Sequence, residues 1–165
     1  MVFIDGTNLF YRLEAAKLRL TQGGVEGLCV YHAGCRDVVR LYLYTTEPHI
    51  AKAVTVHGAH LTNGIRVVLG DAVPAGGGNV KEKGVDAMLV ADLVYHAAAR
   101  NYDYAVLISV DTDFAQALRR VEDFGCRTAV VAVCAGLPKR LEDAADAKFF
   151  VDEQLFLSQN WAARV

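Results

Sequence analysis

The sequence predicts an α/β fold of three layers, in which helices cover both faces of a mainly parallel sheet. Short apolar runs alternate along the chain with segments of helical periodicity. Parallel strands need crossover connections and lose both faces to burial, so this alternation favours an α/β/α sandwich. The 165 residues, 53% of them hydrophobic, suit one full core. We therefore predict a single domain over residues 1–165.

The individual elements follow from periodicity and turn residues. Strands are predicted at residues 1–4, 38–44, 65–69, 104–109, 128–133 and 149–151. Helices are predicted at residues 9–20, 50–61, 86–99, 114–124 and 137–145. Gly125 ends the fourth helix, since glycine commonly follows a last helical turn. Residues 74–79, Pro-Ala-Gly-Gly-Gly-Asn, are a loop by composition.

Charge and hydropathy restrict the function classes. The net charge of −2 argues against a protein that wraps nucleic acid through bulk positive charge. An enzyme acting on RNA would need a local basic rim, with metal ions offsetting its own carboxylates. No apolar run is long enough to span a bilayer, and the apolar start meets an acid at Asp5. These observations predict a cytoplasmic protein without a signal peptide or membrane anchor.

The four cysteines do not form a recognisable metal motif. Cys29 and Cys126 lie in or beside apolar runs, where a small hydrophobic residue would serve. The spacings between Cys29 and Cys35 and between Cys126 and Cys134 exceed the short gap of zinc ligand pairs. We expect reduced structural thiols and no zinc site.

Four aspartates are predicted to converge at one edge of the sheet. Asp5 closes the first strand, and Asp111 follows the strand that ends at residue 109. Ligands of such folds bind outside the carboxyl ends of the strands, near the point where strand order reverses. Asp86 lies in the first turn of its helix, and Asp113 lies two residues beyond Asp111. If the two strands are adjacent, all four acids meet at the same rim.

Clustered carboxylates indicate a hard divalent cation. Mg²⁺ and Mn²⁺ take oxygen ligands, and neighbouring carboxylates repel each other unless a cation lies between them. Such a cation can generate hydroxide from water and stabilise a leaving phosphodiester oxygen. Phosphodiester hydrolysis is the chemistry that this cluster predicts.

Each acid also has a purely structural explanation. Asp111 and Asp113 can cap the following helix, because aspartate is favoured at helix N-termini. Asp86 can be a first-turn acid for the same reason, and Asp5 can bond its own turn. Asp92 lies six positions after Asp86, about 240° around a helix, so it is expected to support the site indirectly or to be structural.

Three ordered blocks carry a family resemblance. They read Phe-Ile-Asp-Gly-Thr-Asn-Leu from residue 3, Lys-Gly-Val-Asp-Ala-Met-Leu-Val-Ala-Asp from residue 83, and Tyr-Asp-Tyr-Ala-Val-Leu-Ile-Ser-Val-Asp-Thr-Asp-Phe from residue 102. They look like the signature blocks of NYN domains, in the bacterial LabA-like branch of the PIN-like nuclease superfamily. The resemblance spans roughly residues 1–151. It implies a Rossmann-like PIN fold, a Mg²⁺ or Mn²⁺ site and RNA as the substrate class.

The resemblance also assigns residues. The acids that it implies as metal ligands and catalytic groups are Asp5, Asp86, Asp111 and Asp113. The substrate contacts that it implies are Asn8, Lys83 and Thr112. An amide that stabilises a turn and a solvated loop lysine are the structural alternatives for the first two of these.

One position departs from the family pattern. The third block usually has glycine before its first acid, and this chain has Val110. A β-branched residue restricts the backbone and is expected to crowd an approaching substrate. Val110 leaves the predicted metal-binding acids unchanged. It is expected to affect catalytic turnover rather than metal binding.

Other enzyme classes fit poorly. Asp-Gly-Thr from residue 5 echoes haloacid-dehalogenase-type phosphatases, but the nucleophilic aspartate of their motif is replaced here by Phe3. The first turn carries neither the glycine pattern of dinucleotide-binding domains nor a P-loop. The open alternative is a non-catalytic NYN domain that binds RNA or a protein, with homodimerisation undecided.

An RNA-binding rim would draw on scattered residues. The basic candidates are Arg12, Arg19, Lys81, Lys83, Arg119, Arg120, Lys139 and Arg140. Ordinary solvated charge explains most of them equally well. Tyr11 or Phe114 could stack on a base, although core packing is the commoner fate of such rings.

Overall fold

The computed structural model describes residues 1–34, 36–74 and 80–165. Its strands are β1 (Val2–Asp5), β2 (Leu18–Leu20), β3 (Leu41–Thr46), β4 (Ile65–Pro74), β5 (Val80–Lys83), β6 (Tyr104–Ile108), β7 (Arg127–Val133), β8 (Ala147–Val151) and β9 (Ala162–Arg164). Its α-helices are α1 (Gly6–Ala15), α2 (Gly24–Ala33), α3 (Glu47–His57), α4 (Val85–Ala98), α5 (Ala115–Asp123), α6 (Lys139–Glu142) and α7 (Glu153–Ser158). Two 3-10 turns span Ala59–Thr62 and Thr112–Phe114.

Strand order in the main sheet places a crevice beside β1. The described residues form a seven-stranded sheet of order β5-β4-β3-β1-β6-β7-β8. Neighbouring strands are parallel except for the β4–β5 pair. From β1 the chain proceeds outward to β3 and β4, then returns to β6 on the other side. The order therefore reverses between β1 and β6, where ligands of open α/β sheets bind.

Side chains of the central strand alternate between two cores. Val2 and Ile4 enter the core under α1, α2 and α3, whereas Phe3 enters the core under α4 and α5. The Phe3 ring stacks on that of Tyr42, with 5.7 Å between ring centroids. These two cores confirm the predicted three-layer sandwich.

The first predicted helix was wrong at its end. Helix α1 ends at Ala15, and residues 18–20 form β2, which pairs antiparallel with β9. Lys17 adopts a positive φ of 53°, which breaks the helix. Leu18 and Leu20 are buried and the residue between them is exposed, a period of two that decides for a strand.

Several other boundaries and elements differ from the predictions. Strand β3 is shifted toward the C-terminus, β4 continues to Pro74, and the predicted helix at 137–145 shortens to the four residues of α6. The elements not predicted were α2, β5, α7 and β9. Helix α2 packs tightly on the chain terminus, because a Cβ at Gly24 would lie 2.1 Å from the Trp161 carbonyl oxygen. Residues 75–79 of the predicted glycine loop lie outside the described residues.

The cysteines agree with structural thiols where they are described. Cys29, Cys126 and Cys134 are free, and the first two are buried. Cys35 lies outside the described residues. Among the helices that the structure describes, none has the length and apolar character needed to cross a bilayer.

Candidate metal and substrate site

Asp5 lies at the carboxyl end of β1 and bonds a residue at the carboxyl end of the neighbouring strand β6. One carboxylate oxygen, Oδ1, accepts the backbone N–H of Asn8 at 3.0 Å, which caps α1. The other, Oδ2, accepts the hydroxyl of Ser109 at 2.8 Å, directly after β6. Strands β1 and β6 are adjacent, with Ile4 beside Ile108. Asp5 is therefore held in place from both strands, and its side chain is buried.

A close approach of α1 to β3 needs glycine after this acid. A Cβ on Gly6 would lie 2.8 Å from the carbonyl oxygen of Tyr44. Real Cβ atoms do not come so near to backbone oxygen, so any other residue would displace the turn that follows Asp5. The Asp-Gly pair thus sets the position of the carboxylate.

Two other predicted acids contribute to the electrostatic environment of Asp5. Burial raises the pKa of this carboxyl to about 6 from its ordinary value of 3.8, against the lowering effect of its two hydrogen bonds. The negative charges of Asp86 and Asp111 raise it further. Acids from three separate segments therefore act on one another at this edge of the sheet.

Asp111 is both a cap and a member of the cluster. Its Oδ1 accepts the backbone N–H of Asp113 at 2.9 Å, and its own N–H donates to the Ser109 hydroxyl at 3.0 Å. The capping explanation offered by the sequence is thus correct for Asp111. It does not remove the residue from the site, because the same Ser109 hydroxyl also bonds Asp5.

Asp86 lies in the first turn of α4 and is exposed, as is Asp113. Partial desolvation raises the pKa of Asp86, and the charges of Asp111, Glu82 and Asp113 raise it further. The charges of Asp86 and Asp111 thus act on Asp5, and those of Asp111 and Asp113 act on Asp86. The structure adds Glu82, which the sequence did not single out.

Glu82 reaches the site on the antiparallel edge strand β5. Its Oε1 accepts the hydroxyl of Thr7 at 2.6 Å and lies 2.8 Å from Nδ1 of His49. The Thr46 hydroxyl lies 3.2 Å from the same His49 nitrogen. Glu82 lies just before the second family block, but the polar segment that carries it has no apolar periodicity and was not predicted as a strand.

The donor set suits a hard cation by its chemistry. Within the described ranges, no group of three or more His, Cys, Asp or Glu side chains stands close enough to hold a metal ion. The carboxylates supply only oxygen donors, the kind that a hard divalent ion takes, and burial first and neighbouring negative charge second raise the pKa of Asp5 and of Asp86. The chemistry of the donors therefore fits a hard divalent ion, whereas their spacing among the described residues does not form a ready-made metal site.

The remaining predicted residues differ in their surroundings. Asn8 and Thr112 are partly buried near Asp5 and Asp111, and Lys83 is exposed at the end of β5. Asp92 accepts the hydroxyl of Tyr44 at 2.9 Å, as expected for a structural acid.

The basic and aromatic residues considered for RNA binding differ in their pairing and exposure. Arg120 pairs with Asp123 at 2.8 Å and Lys139 with Asp143 at 2.6 Å, both on exposed helix surfaces. Phe114 is fully buried in the core, whereas Tyr11 is 65% exposed.

Comparison with known proteins places the chain in a family. Residues 1–154 match the NYN domain, and the chain belongs to this family, part of the PIN-like nuclease superfamily. A solved structure of a protein of unknown function from Vibrio parahaemolyticus aligns with a TM-score of 0.69 and 20% sequence identity, over 92% of this chain and 91% of that chain. The likeness shows a shared fold. No match is found among curated proteins. Membership of the LabA-like branch stays a prediction.

Proposed function

We propose that the protein is a metal-dependent endoribonuclease that hydrolyses phosphodiester bonds in RNA. The observation that carries the proposal is the Ser109 hydroxyl, which bonds both Asp5 and the backbone of Asp111 at the strand-order reversal, with Asp86 adding negative charge there. Membership of a family within the PIN-like nuclease superfamily supports the same chemistry. The proposal includes one domain over residues 1–165 and a cytoplasmic location, which suits the buried thiols of Cys29 and Cys126.

In this proposal Asp5, Asp86, Asp111 and Asp113 hold Mg²⁺ or Mn²⁺. When bound, the ion would activate water and stabilise developing charge on phosphate oxygens. Asp5 needs no large rearrangement, because Asn8 and Ser109 already fix both of its oxygens.

The other residues contribute binding and orientation. The exposed ammonium of Lys83 would neutralise a phosphate, and the Asn8 amide and Thr112 hydroxyl would bond phosphate oxygens. The contacts with Thr7 and His49 fix the position of the Glu82 carboxylate, whose charge acts on Asp86. Glu82 thereby adds to the negative charge that favours a cation.

Asp111→Asn tests the proposed function. In a mixture of single-stranded and hairpin RNAs, we expect wild-type protein to cleave with Mg²⁺ or Mn²⁺ and to stop with EDTA. Asp111→Asn is expected to lower the rate by roughly 10²–10³-fold, the loss typical of removing an electrostatic group from an active site. Asp92→Asn, the same substitution at an aspartate on α4 that bonds Tyr44, should cleave normally.

Two results would contradict this function. Cleavage that continues in EDTA and in Asp111→Asn would point to a contaminant or another mechanism. Tight RNA binding without cleavage, unaffected by metal, would favour a non-catalytic regulatory NYN domain; the lack of a preformed metal-binding group among the described residues favours this second candidate.

Val110→Gly tests the departure from the family pattern. Val110 is only 9% exposed and is not among the residues with positive φ, so its site neither faces the solvent nor requires glycine. We expect Val110→Gly to lower the free energy of unfolding by about 2–4 kcal/mol without raising kcat/KM. Urea unfolding and RNA cleavage, with Val110→Ala alongside, check this. A severalfold higher kcat/KM for glycine than for alanine would show that the valine limits turnover.

A further inference from the structure

A groove of about 470 Å³ lies between α1 and α3, on the face of the sheet that carries α1, α2 and α3. It is lined by Thr7, Phe10 and Tyr11 from α1 and by His49, Ala53 and Val56 from α3. Its volume falls in the range of sites that hold small organic molecules, about 300–1,000 Å³. The groove is thus large enough for part of a polymeric substrate.

One end of the groove lies beside Glu82. Thr7 and His49 line the groove, and both contact the same Glu82 oxygen, at 2.6 and 2.8 Å. Thr7 lies in the same turn as Asn8, whose N–H bonds Asp5. A ligand in the groove would therefore lie close to Glu82 and to the turn that follows Asp5.

The walls are mostly apolar. Tyr11 leaves 65% of its side chain in solvent although it lies on a helix that packs on the core. Beside it, the Phe10 ring is stacked on the His57 ring, with 5.8 Å between centroids and 29° between planes. An exposed tyrosine over an apolar floor offers a planar partner a stacking surface and a hydroxyl.

Two lysines and one glutamate, Glu14, carry the charges at the rim. Lys17 and Lys52 both line the groove and are exposed. Lys52 bonds Glu14 at 2.8 Å across the groove, with both side chains more than 60% exposed. Such an exposed pair is weak, so Lys52 can exchange Glu14 for a phosphate.

We propose that this groove binds an unpaired nucleobase of the RNA strand, stacked on Tyr11, next to the phosphate at the acid cluster. The proposal takes its substrate class from the proposed function. A base inside a duplex cannot turn into the groove, whereas a single strand or loop presents bases for stacking on aromatic rings. The apolar walls take the base, and the lysines take the adjoining phosphates.

Binding of fluorescein-labelled single-stranded RNA in EDTA tests the proposal without cleavage. Tyr11→Ala is expected to raise Kd roughly tenfold, the effect of losing one base–aromatic stack, and Tyr11→Phe to keep most of the affinity. Tyr95→Ala is the matched control, since Tyr95 is 63% exposed on α4, on the opposite face of the sheet. RNA carrying 5-iodouridine should cross-link to Tyr11 on irradiation, as located by mass spectrometry.

The outcomes distinguish a failure of base binding in the groove from a failure of the proposed ribonuclease activity. Unchanged affinity in Tyr11→Ala, or cross-links only outside the groove, would contradict base binding in the groove even if RNA is cleaved. A protein partner would then be the alternative occupant of the groove. A Tyr11 cross-link with the expected loss of affinity supports base binding in the groove even if no cleavage occurs. An equal loss in Tyr95→Ala would also overturn the proposal, because it would show a nonspecific effect.

Discussion

Asp5→Asn is expected to abolish RNA cleavage and to make the protein more stable at neutral pH. Burial and the neighbouring acids raise the pKa of Asp5 from 3.8 to about 6, so folding disfavours its charged form. Below about pH 4 the carboxyl is protonated in both the folded and the unfolded states, and the penalty vanishes. It grows as the pH rises to 6 and is complete above that. At 1.36 kcal/mol per pH unit it reaches about 3 kcal/mol.

Asparagine removes this penalty but retains only part of the hydrogen bonding. Its oxygen can still accept the Asn8 N–H, whereas its NH₂ group replaces the oxygen that accepts from Ser109. We therefore expect a net gain in the free energy of unfolding of about 1–2 kcal/mol at pH 8. Activity and stability thus change in opposite directions, which distinguishes loss of a functional charge from loss of the fold.

Urea unfolding at pH 4.5 and pH 8, together with the cleavage assay, measures both effects. The stability difference between Asp5→Asn and wild type should grow with pH across this interval. Asp92→Asn serves as the control, because its side-chain oxygen can still accept the Tyr44 hydroxyl. A variant that is less stable than wild type at both pH values would contradict the electrostatic account of Asp5.

Addition of Mg²⁺ or Mn²⁺ is expected to stabilise the wild-type protein strongly above pH 6 and weakly at pH 4.5. A cation that binds only the folded state adds about 2.7 kcal/mol when its concentration is one hundred times Kd. For a chain of this size that corresponds to an increase in Tm of about 5–10 °C. At pH 4.5 the folded protein keeps Asp5 protonated, so the ion would have to displace a proton.

Thermal unfolding with each cation checks this prediction independently of catalysis. Potassium chloride of equal ionic strength controls for general screening, and Asp111→Asn should lose most of the increase in Tm. Equal Tm values with and without millimolar Mg²⁺ or Mn²⁺ at pH 7.5 would contradict a metal site at these acids.

The acids at the strand ends are the part of the site that local sequence pattern could predict. Asp5 and Asp111 each follow an apolar run, and the rule for parallel sheets predicts that both lie at the same edge. Their adjacency further requires β1 and β6 to be neighbours, which the structure has. Local pattern therefore placed the two acids, because strand direction and side-chain alternation follow from neighbouring residues alone.

The positions of Glu82 and Tyr11 could not be predicted from local sequence pattern. Strand β5 is polar and gains its strand geometry from antiparallel pairing with β4, a partner that no local periodicity identifies. The exposure of Tyr11 depends on how α1 packs beside α3, while the chemically similar Phe114 is buried. The same limit explains the error at β2, whose partner β9 lies at the other end of the chain.

The sequence by itself determined the alternation of strands and helices, the three-layer class and the acids at the strand ends, because these follow from periodicity and short-range turn chemistry. Only the tertiary structure decided that the acids influence one another, that Ser109 links Asp5 to Asp111, and that Glu82 joins them beside a groove. These features depend on desolvation and on contacts between distant segments, which exist only once the chain has packed.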